Sequence, residues 1–254
     1  MMVRRFEGKV ALVTGASGVV GRASALAYAR EGAAVLAAGR DEARLAELVK
    51  EIEGSGGRAS AYAVDITSSA SVAGMVEAAA TRYGRLDVAL NAAGVFGAVA
   101  PLADYDEDTW DDVIAVNLKG VFLSMKHEIA YMRAHGGGVI VNVASNLGAH
   151  YRRPGASAYV ASKAAVSHLT RTAARDHIAD GVRINALSPG PIDSPMSLRP
   201  GETREDRDAR MKAALPIGRV ATPEEIAAAA LWLSSEESSF VVGTDHVVDG
   251  GAAA

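Results

Sequence analysis

The sequence predicts an α/β fold: one domain built on a parallel sheet, with helices covering both faces. Three observations carry this expectation. Short β-branched runs alternate with longer alanine-rich amphipathic segments along the chain, the pattern of strands joined by helical crossovers. The short runs are continuously apolar rather than alternating, as strands buried on both faces are. No internal repeat, low-complexity tract or Pro-, Gly- or Ser-rich linker divides the 254 residues. That length gives ample volume for a core.

Strands are expected near 10–14, 34–38, 59–64, 87–91, 139–144, 183–188 and 246–248. Helices are expected near 20–31, 41–54, 69–83, 107–134, 157–179 and 223–235. The first strand runs into Thr14-Gly15-Ala16-Ser17-Gly18-Val19-Val20-Gly21-Arg22. A Gly-rich turn between a first strand and a first helix suits a dinucleotide. Glycines let the backbone approach a pyrophosphate, whose charge sits at the helix N-terminus. Gly15, Ser17, Gly18, Val20 and Gly21 are the cofactor candidates here.

The second strand ends in Gly39-Arg40-Asp41. An acidic group at this place suits the ribose hydroxyls of NAD, while an Arg accommodates the extra phosphate of NADP. Arg40 comes first, so NADP is the preferred expectation and NAD the alternative; Asp41 can also simply cap the next helix. Asp65-Ile66 follows the third strand, where the Asp could accept from an adenine amino group or cap the next turn. Asn91-Ala92-Ala93-Gly94 follows the fourth, with small residues that permit close packing against a flat cofactor. Asn117 lies inside the expected 107–134 helix, where Asn is locally unfavourable. It either faces water or satisfies something specific.

The fifth strand leads to Ser145, at the carboxyl edge where open α/β sheets bind ligands. In the next helix Ser157 can cap the start and Gly181 can end it. Tyr159 and Lys163 are four residues apart there, on one helical face. Free tyrosine has a pKa of about 10, and an ammonium within about 4–6 Å favours the phenolate. Such a pair can move a proton to or from a substrate oxygen, with the Ser145 hydroxyl bonded to the same oxygen. The alternative is a Tyr and a Lys snorkelling from a half-buried helix.

After the sixth strand, Ser188-Pro189-Gly190-Pro191-Ile192-Asp193-Ser194-Pro195 fixes an irregular loop at the same edge. The charged, proline-interrupted stretch 195–215 reads as a substrate-loop insertion, with a short helix near 203–213. It is either a lid or an ordinary solvated insertion. Phe96, Leu147, His150, Tyr151 and Arg152 should border the site. His150 with Arg152-Arg153 suits an acidic group on the substrate, or else these side chains are solvated or at a subunit contact.

Composition excludes several classes. Lys plus Arg number 26 against 30 Asp plus Glu, a net charge of −4 with no basic footprint for nucleic acid. There is no cysteine, hence no disulfide, thiolate nucleophile or Cys-based metal site. No His/Asp/Glu cluster has catalytic-metal spacing, so no metal is expected. Met1-Met2-Val3-Arg4-Arg5-Phe6 is basic but lacks the apolar region of a signal peptide. No run approaches about 18 apolar residues, so no membrane span is expected and the cytoplasm is the default location.

Together these residues resemble the short-chain dehydrogenase/reductase family, ketoacyl reductases included. The resemblance runs from Lys9 to Gly251. It rests on Thr14-Gly15…Gly21, Asp65, Asn91-Ala92-Ala93-Gly94, Asn117, Ser145, Tyr159…Lys163, Asn185 and Pro189-Gly190, with Pro216-Ile217-Gly218-Arg219…Pro223-Glu224-Glu225 and Gly243…Asp249-Gly250-Gly251 towards the end. It implies a single-domain Rossmann fold with a doubly wound seven-stranded parallel sheet. It further implies hydride transfer between a nicotinamide and a carbonyl or alcohol carbon. On this resemblance Tyr159 is the general acid in reduction and the base in oxidation. Lys163 lowers its pKa and holds the nicotinamide ribose, Ser145 polarises the carbonyl, and Asn117 holds a water that relays protons to Lys163. Ser194 stands where the family usually has Thr and could anchor the carboxamide. A homotetramer is implied, built partly on the helices at 107–134 and 157–179.

Two positions depart from the family. Val19 replaces the middle glycine of the turn, where a Cβ should crowd the pyrophosphate. Ala92 stands where a second Asn is common. The leading reading is NADPH-dependent ketone reduction. An NAD-dependent alcohol dehydrogenase of the same fold is the alternative within enzymes. A non-catalytic dinucleotide-binding protein is the rival from another class; Val19 favours it, and the set Ser145, Tyr159, Lys163 and Asn117 speaks against it.

Overall fold

The computed structural model describes residues 4–254. Met1, Met2 and Val3, the start of the basic N-terminal stretch, lie outside the described residues. Seven strands form one parallel sheet: β1 (Val10–Thr14), β2 (Ala34–Gly39), β3 (Arg58–Ala63), β4 (Val88–Asn91), β5 (Gly138–Val143), β6 (Val182–Pro189) and β7 (Asp245–Val248). Their order is β3-β2-β1-β4-β5-β6-β7. Every neighbouring pair is parallel. The order reverses direction between β1 and β4, which opens a crevice at their carboxyl ends. Strand bounds agree with the expected ones to within a residue or two.

The crossovers are α1 (Val19–Arg30), α2 (Glu42–Gly54), α3 (Ser69–Tyr83), α4 (Glu107–Ile114), α5 (Gly120–Ala134), the distorted single turn α6 (Asn146–Ala149), α7 (Ser157–His177), α8 (Arg204–Ala214) and α9 (Pro223–Ser234). Alternation along β1 decides which face each residue serves. Ala11 and Val13 join Tyr28 of α1, Leu45 and Leu48 of α2 and Leu231 of α9 in one core. Leu12, between them, joins Met75 of α3, Ile129 of α5 and Val166 of α7 in the other. Each fully buried Leu or Met side chain contributes about 1.5–3 kcal/mol, so the two layers hold the sheet edge rigid.

Helix starts follow local chemistry. Asp41 caps α2 by accepting from the Arg44 N–H, and capping boxes start α8 at Thr203 and α9 at Thr222. One expected cap is corrected: Ala156, not Ser157, occupies the N-cap of α7, and Ser157 is the first helical residue. Gly181 does close that segment, in the left-handed conformation.

The expected 107–134 helix is also corrected. It is α4 and α5 joined by a π turn at Ala115–Lys119. The turn carries Asn117 into the protein, where it is fully buried. Its Oδ1 accepts from the Val95 N–H at 2.8 Å, and its Nδ2 donates to the Val95 carbonyl at 2.9 Å and to Ser162 Oγ at 3.1 Å. Of the two readings of this Asn, the specific one holds. π turns are rare and concentrate at functional sites.

Candidate active site

A pocket of about 640 Å³ opens at the carboxyl edge of the sheet, over the β1–β4 crevice. Its floor begins at the Gly-rich turn. Gly15 takes a positive φ of 66°. A Cβ there would meet Ala93 at 2.7 Å, and one on Gly21 would meet the Gly15 carbonyl oxygen at 2.3 Å. Both glycines are therefore required for the turn to close on itself. Gly18 is the N-cap of α1, which has no side-chain cap and no acidic residue in its first turn. Its free N–H groups and positive dipole end line the pocket through Gly18, Val19 and Val20. These residues fit a dinucleotide pyrophosphate. Val19, the first residue of α1, is part of the pocket wall.

Ser145, Tyr159 and Lys163 meet on the opposite side of the pocket, each nearly closed off from solvent at 6 %, 8 % and 4 % exposure. Ser145 is the N-cap of the turn after β5 and accepts from the Leu147 N–H at 3.1 Å. The same hydroxyl faces the Tyr159 phenol and acts to lower its pKa. Lys163 Nζ donates to the Val143 carbonyl at 2.7 Å and lies 6.0 Å from the centre of the Tyr159 ring. Burial raises the Tyr159 phenol above its ordinary value, with the Ser145 hydroxyl working against it. Burial pushes the Lys163 ammonium down to about 8. The expected lowering of Tyr159 is thus not seen here: desolvation of the phenol is the largest influence on it and raises its pKa.

Other expected site residues fall in two groups. Ala92, Gly94, Pro189, Gly190, Ile192 and Ser194 line the pocket. Gly94 is kept small by its neighbours, since a Cβ would come within 3.2 Å of Asn117 Oδ1 and 3.4 Å of Lys163 Nζ. Arg40, Asp65, Ile66, Asn91 and Asn117 are not in its wall. Arg40 is exposed at the end of β2. Asp65 accepts from the N–H and hydroxyl of Thr67, which hold its carboxyl below the usual range; this is the turn-capping reading. Ile66 packs beneath Gly120 of α5. The side chain of Asn91 turns inward and donates to Glu128 Oε2 at 2.9 Å and Asn142 Oδ1 at 3.0 Å. Only the backbone of Asn91 remains for a ligand. The Asn117 amide is engaged by Val95 and Ser162.

Sequence reasoning passed over Arg44, Arg199 and Arg210, all three in the pocket wall. Arg44 lies in the first turn of α2, four residues after Arg40. Arg199 and Arg210 come from the insertion at 195–215, whose helix α8 forms where expected. His150 is already paired with Asp245 at 2.8 Å, and Arg152 is exposed outside the pocket wall.

A Ser–Tyr pair on the same sheet edge as a dinucleotide cradle is the layout of an oxidoreductase that uses a nicotinamide cofactor. Comparison with known proteins narrows this. A family model described as enoyl-(acyl carrier protein) reductase matches residues 15–253. The chain is 42% identical to a 3-oxoacyl-[acyl-carrier-protein] reductase of Thermotoga maritima, over 97% of this chain and 98% of that one. It is also 42% identical to cis-4-hydroxycyclohexanecarboxylate dehydrogenase of Sinomonas cyclohexanicum, over 98% of each. The crystal structure of an NAD+-bound xylitol dehydrogenase superposes with a TM-score of 0.91 at 32% identity, covering 97% of this chain and all of that one. The chain belongs to the short-chain dehydrogenase/reductase family, and it is an NAD(P)-dependent oxidoreductase acting on CH–OH groups or the corresponding carbonyls.

Proposed function

We propose that the chain reduces a ketone to a secondary alcohol with NADPH, Tyr159 serving as general acid. The observation that carries this reading is the buried Ser145–Tyr159 pair, with Lys163 one turn on, in a pocket continuous with the uncapped N-terminus of α1. The bound cofactor supplies the hydride, two electrons and one proton delivered to the carbonyl carbon. The Tyr159 phenol gives its proton to the carbonyl oxygen, completing the alcohol. A phenol kept protonated by burial is suited to that direction. The Ser145 hydroxyl, fixed from behind by the Leu147 N–H, is free to donate to the same oxygen. Lys163 holds its charge beside the phenol and, as the family resemblance implies, would hold the nicotinamide ribose. Asn117 braces Val95 and Ser162, so a relay water would be held by its backbone carbonyl.

The NADPH preference rests on Arg40 at the end of β2 and Arg44 in the pocket wall. The NAD reading has one observation in its favour: Asp41 Oδ2 lies 3.4 Å from Arg44 Nε, which partly spends that charge. Titration of the protein with NADPH and NADH, following nicotinamide fluorescence, separates them. Tight NADPH and weak NADH binding supports the proposal; the reverse assigns the ribose to Asp41 and makes alcohol oxidation the working direction. Binding of neither overturns both readings and points to Val19 in the turn.

On this reading the chain acts as one domain, with 195–215 covering the substrate. A homotetramer is proposed with it: Phe122 on α5 and Phe240 stand exposed, as contact residues would in a lone chain. Sedimentation as a stable monomer overturns that assembly. Among the described residues no helix is long and apolar enough to cross a membrane, and a cytoplasmic location is proposed.

A further inference from the structure

The wall of the pocket is unbalanced in charge. Arg44, Arg153, Lys163, Arg199 and Arg210 all line it, and no Asp or Glu does among the described residues. Yet the protein as a whole is acidic, at a net −4. Arg44 and Lys163 are accounted for by the cofactor groove and the Ser–Tyr pair. The other three guanidiniums are not.

Arg153, Arg199 and Arg210 come from two separate loops and from α8, and they converge at one end of the pocket. Arg210 makes two 2.6 Å bonds to the Glu202 carboxylate and donates to the Ser197 carbonyl at 3.0 Å. Glu202 also accepts from the Arg199 backbone N–H at 2.9 Å. It is the counter-charge to Arg210 and anchors the 195–215 insertion. Neither the Arg153 nor the Arg199 guanidinium has a carboxylate within ion-pair distance among the described residues. Arg153 is held below its ordinary value by burial and then by the positive charges of Arg199 and Arg210. Like charges gathered in a half-buried pocket repel one another unless an anion joins them.

The position of Arg153 gives the cluster its purpose. Its guanidinium lies over the Phe96 ring, 5.3 Å from the centre. Phe96 in turn lies against the Tyr159 ring at 4.8 Å between centres. The three side chains form a ladder from the proton donor to an unpaired cation, with an apolar step between. A guanidinium stacked on a ring keeps its edge N–H groups free for a planar acceptor.

We propose that the substrate is a keto acid, or the matching hydroxy acid, whose carboxylate binds Arg153 and Arg199 while its carbonyl oxygen meets Tyr159. The apolar carbons between these two groups rest on Phe96. This substrate class rests on the functional reading above. Of the acidic-group reading of His150 with Arg152-Arg153, only Arg153 is kept and Arg199 joins it, since His150 is already taken by Asp245 and Arg152 stands outside the pocket wall.

The test is a panel of keto acids on ring and chain scaffolds, each paired with its neutral methyl ester, assayed with NADPH and with NADH. It is run on the full-length protein and on Arg153→Met, which keeps an unbranched side chain over Phe96 but removes the charge. The expected result is an acid-to-ester ratio of kcat/KM of at least about tenfold in the wild type, collapsing towards unity in the variant. A purely structural role for Arg153 would lower both members of a pair alike and leave the ratio unchanged. Esters turned over as well as acids, or a preference that survives Arg153→Met, overturns the substrate class and leaves the functional reading intact. So does a loss of cofactor affinity in Arg153→Met with an unchanged ratio, which would assign the arginines to the cofactor. No turnover of any pair, in a protein that binds cofactor, overturns the functional reading and the substrate class with it.

Discussion

Lys163 Nζ donates to the carbonyl oxygen of Val143 at 2.7 Å, tying α7 to the last residue of β5. Ser145 is two residues further along the same chain, so one bond sets the separation between the helix that carries Tyr159 and the strand that presents Ser145. The cost is desolvation of the ammonium, which pushes Lys163 down to about 8.

A pH dependence follows from that value. Lys163 is charged below about pH 8 and neutral above it. Ketone reduction, measured as kcat/KM, is expected to stay level from neutrality to about pH 8 and to fall beyond it. A level profile up to pH 10 would show that the Lys163 charge has no part in the reaction.

Tyr159→Phe removes the proton donor and keeps the ring against Phe96. Turnover should fall by about 10²–10⁴-fold, the usual worth of a positioned acid. Fluorescence titration should show cofactor binding retained. Near-normal rates in this variant would defeat the assignment.

Cofactor choice should turn on the end of β2. Arg40→Asp is expected to weaken NADPH at least about tenfold, by loss of a charge-assisted phosphate contact and gain of a repulsive carboxylate. NADH should bind as well or better. Equal losses for both cofactors would mean that Arg40 serves the fold and not the phosphate.

Glu128 provides a test of stability. It is fully buried beneath Asn91, and among the described residues neither its Oε1 nor Asn91 Oδ1 has a hydrogen-bond partner. Burial pushes its carboxyl up to about 7, with the Asn91 hydrogen bond working the other way. The unfolded chain releases this proton near pH 4.5, while the folded chain keeps it to about pH 7. Between those values the folded state binds more protons, so stability falls as pH rises. Glu128→Gln should remove the slope. It should stabilise the protein by about 1–3 kcal/mol at pH 8 and leave it nearly unchanged at pH 4. Thermal melts at the two pH values check this, and an equal shift at both would refute it.

Much of the fold was legible because parallel strands buried on both faces leave a strong mark: apolar runs separated by amphipathic helices. The Gly-rich turn and the Ser145, Tyr159, Lys163 set were legible for a related reason, since sheet topology forces strand ends to one edge. Side-chain direction was not. Asn91 sits where a ligand contact was expected, but strand alternation turns its amide into the core. Asn117 looked like a misplaced helical residue because a π turn has no sequence signal as clear as a cap. The Tyr159 shift was misjudged because spacing reveals a neighbouring charge but not the depth of burial. Arg153, Arg199 and Arg210 could not be grouped in advance, since their meeting depends on how 195–215 folds back over the edge. Val19 is now in the pocket wall, and its effect on the pyrophosphate is open to the same cofactor titration with Val19→Gly, for which tighter binding is expected.

The turn at Ala115–Lys119 amounts to an extra position in an otherwise regular helical count. Closing this turn to regular α geometry with every residue kept would heal the backbone ladder and rotate everything downstream by about 100°. Glu128 would swing away from Asn91, and Val121 and Met125 would leave the core they now fill. The least regular turn of the segment is therefore the index mark that keeps the whole of α5 in phase with the sheet.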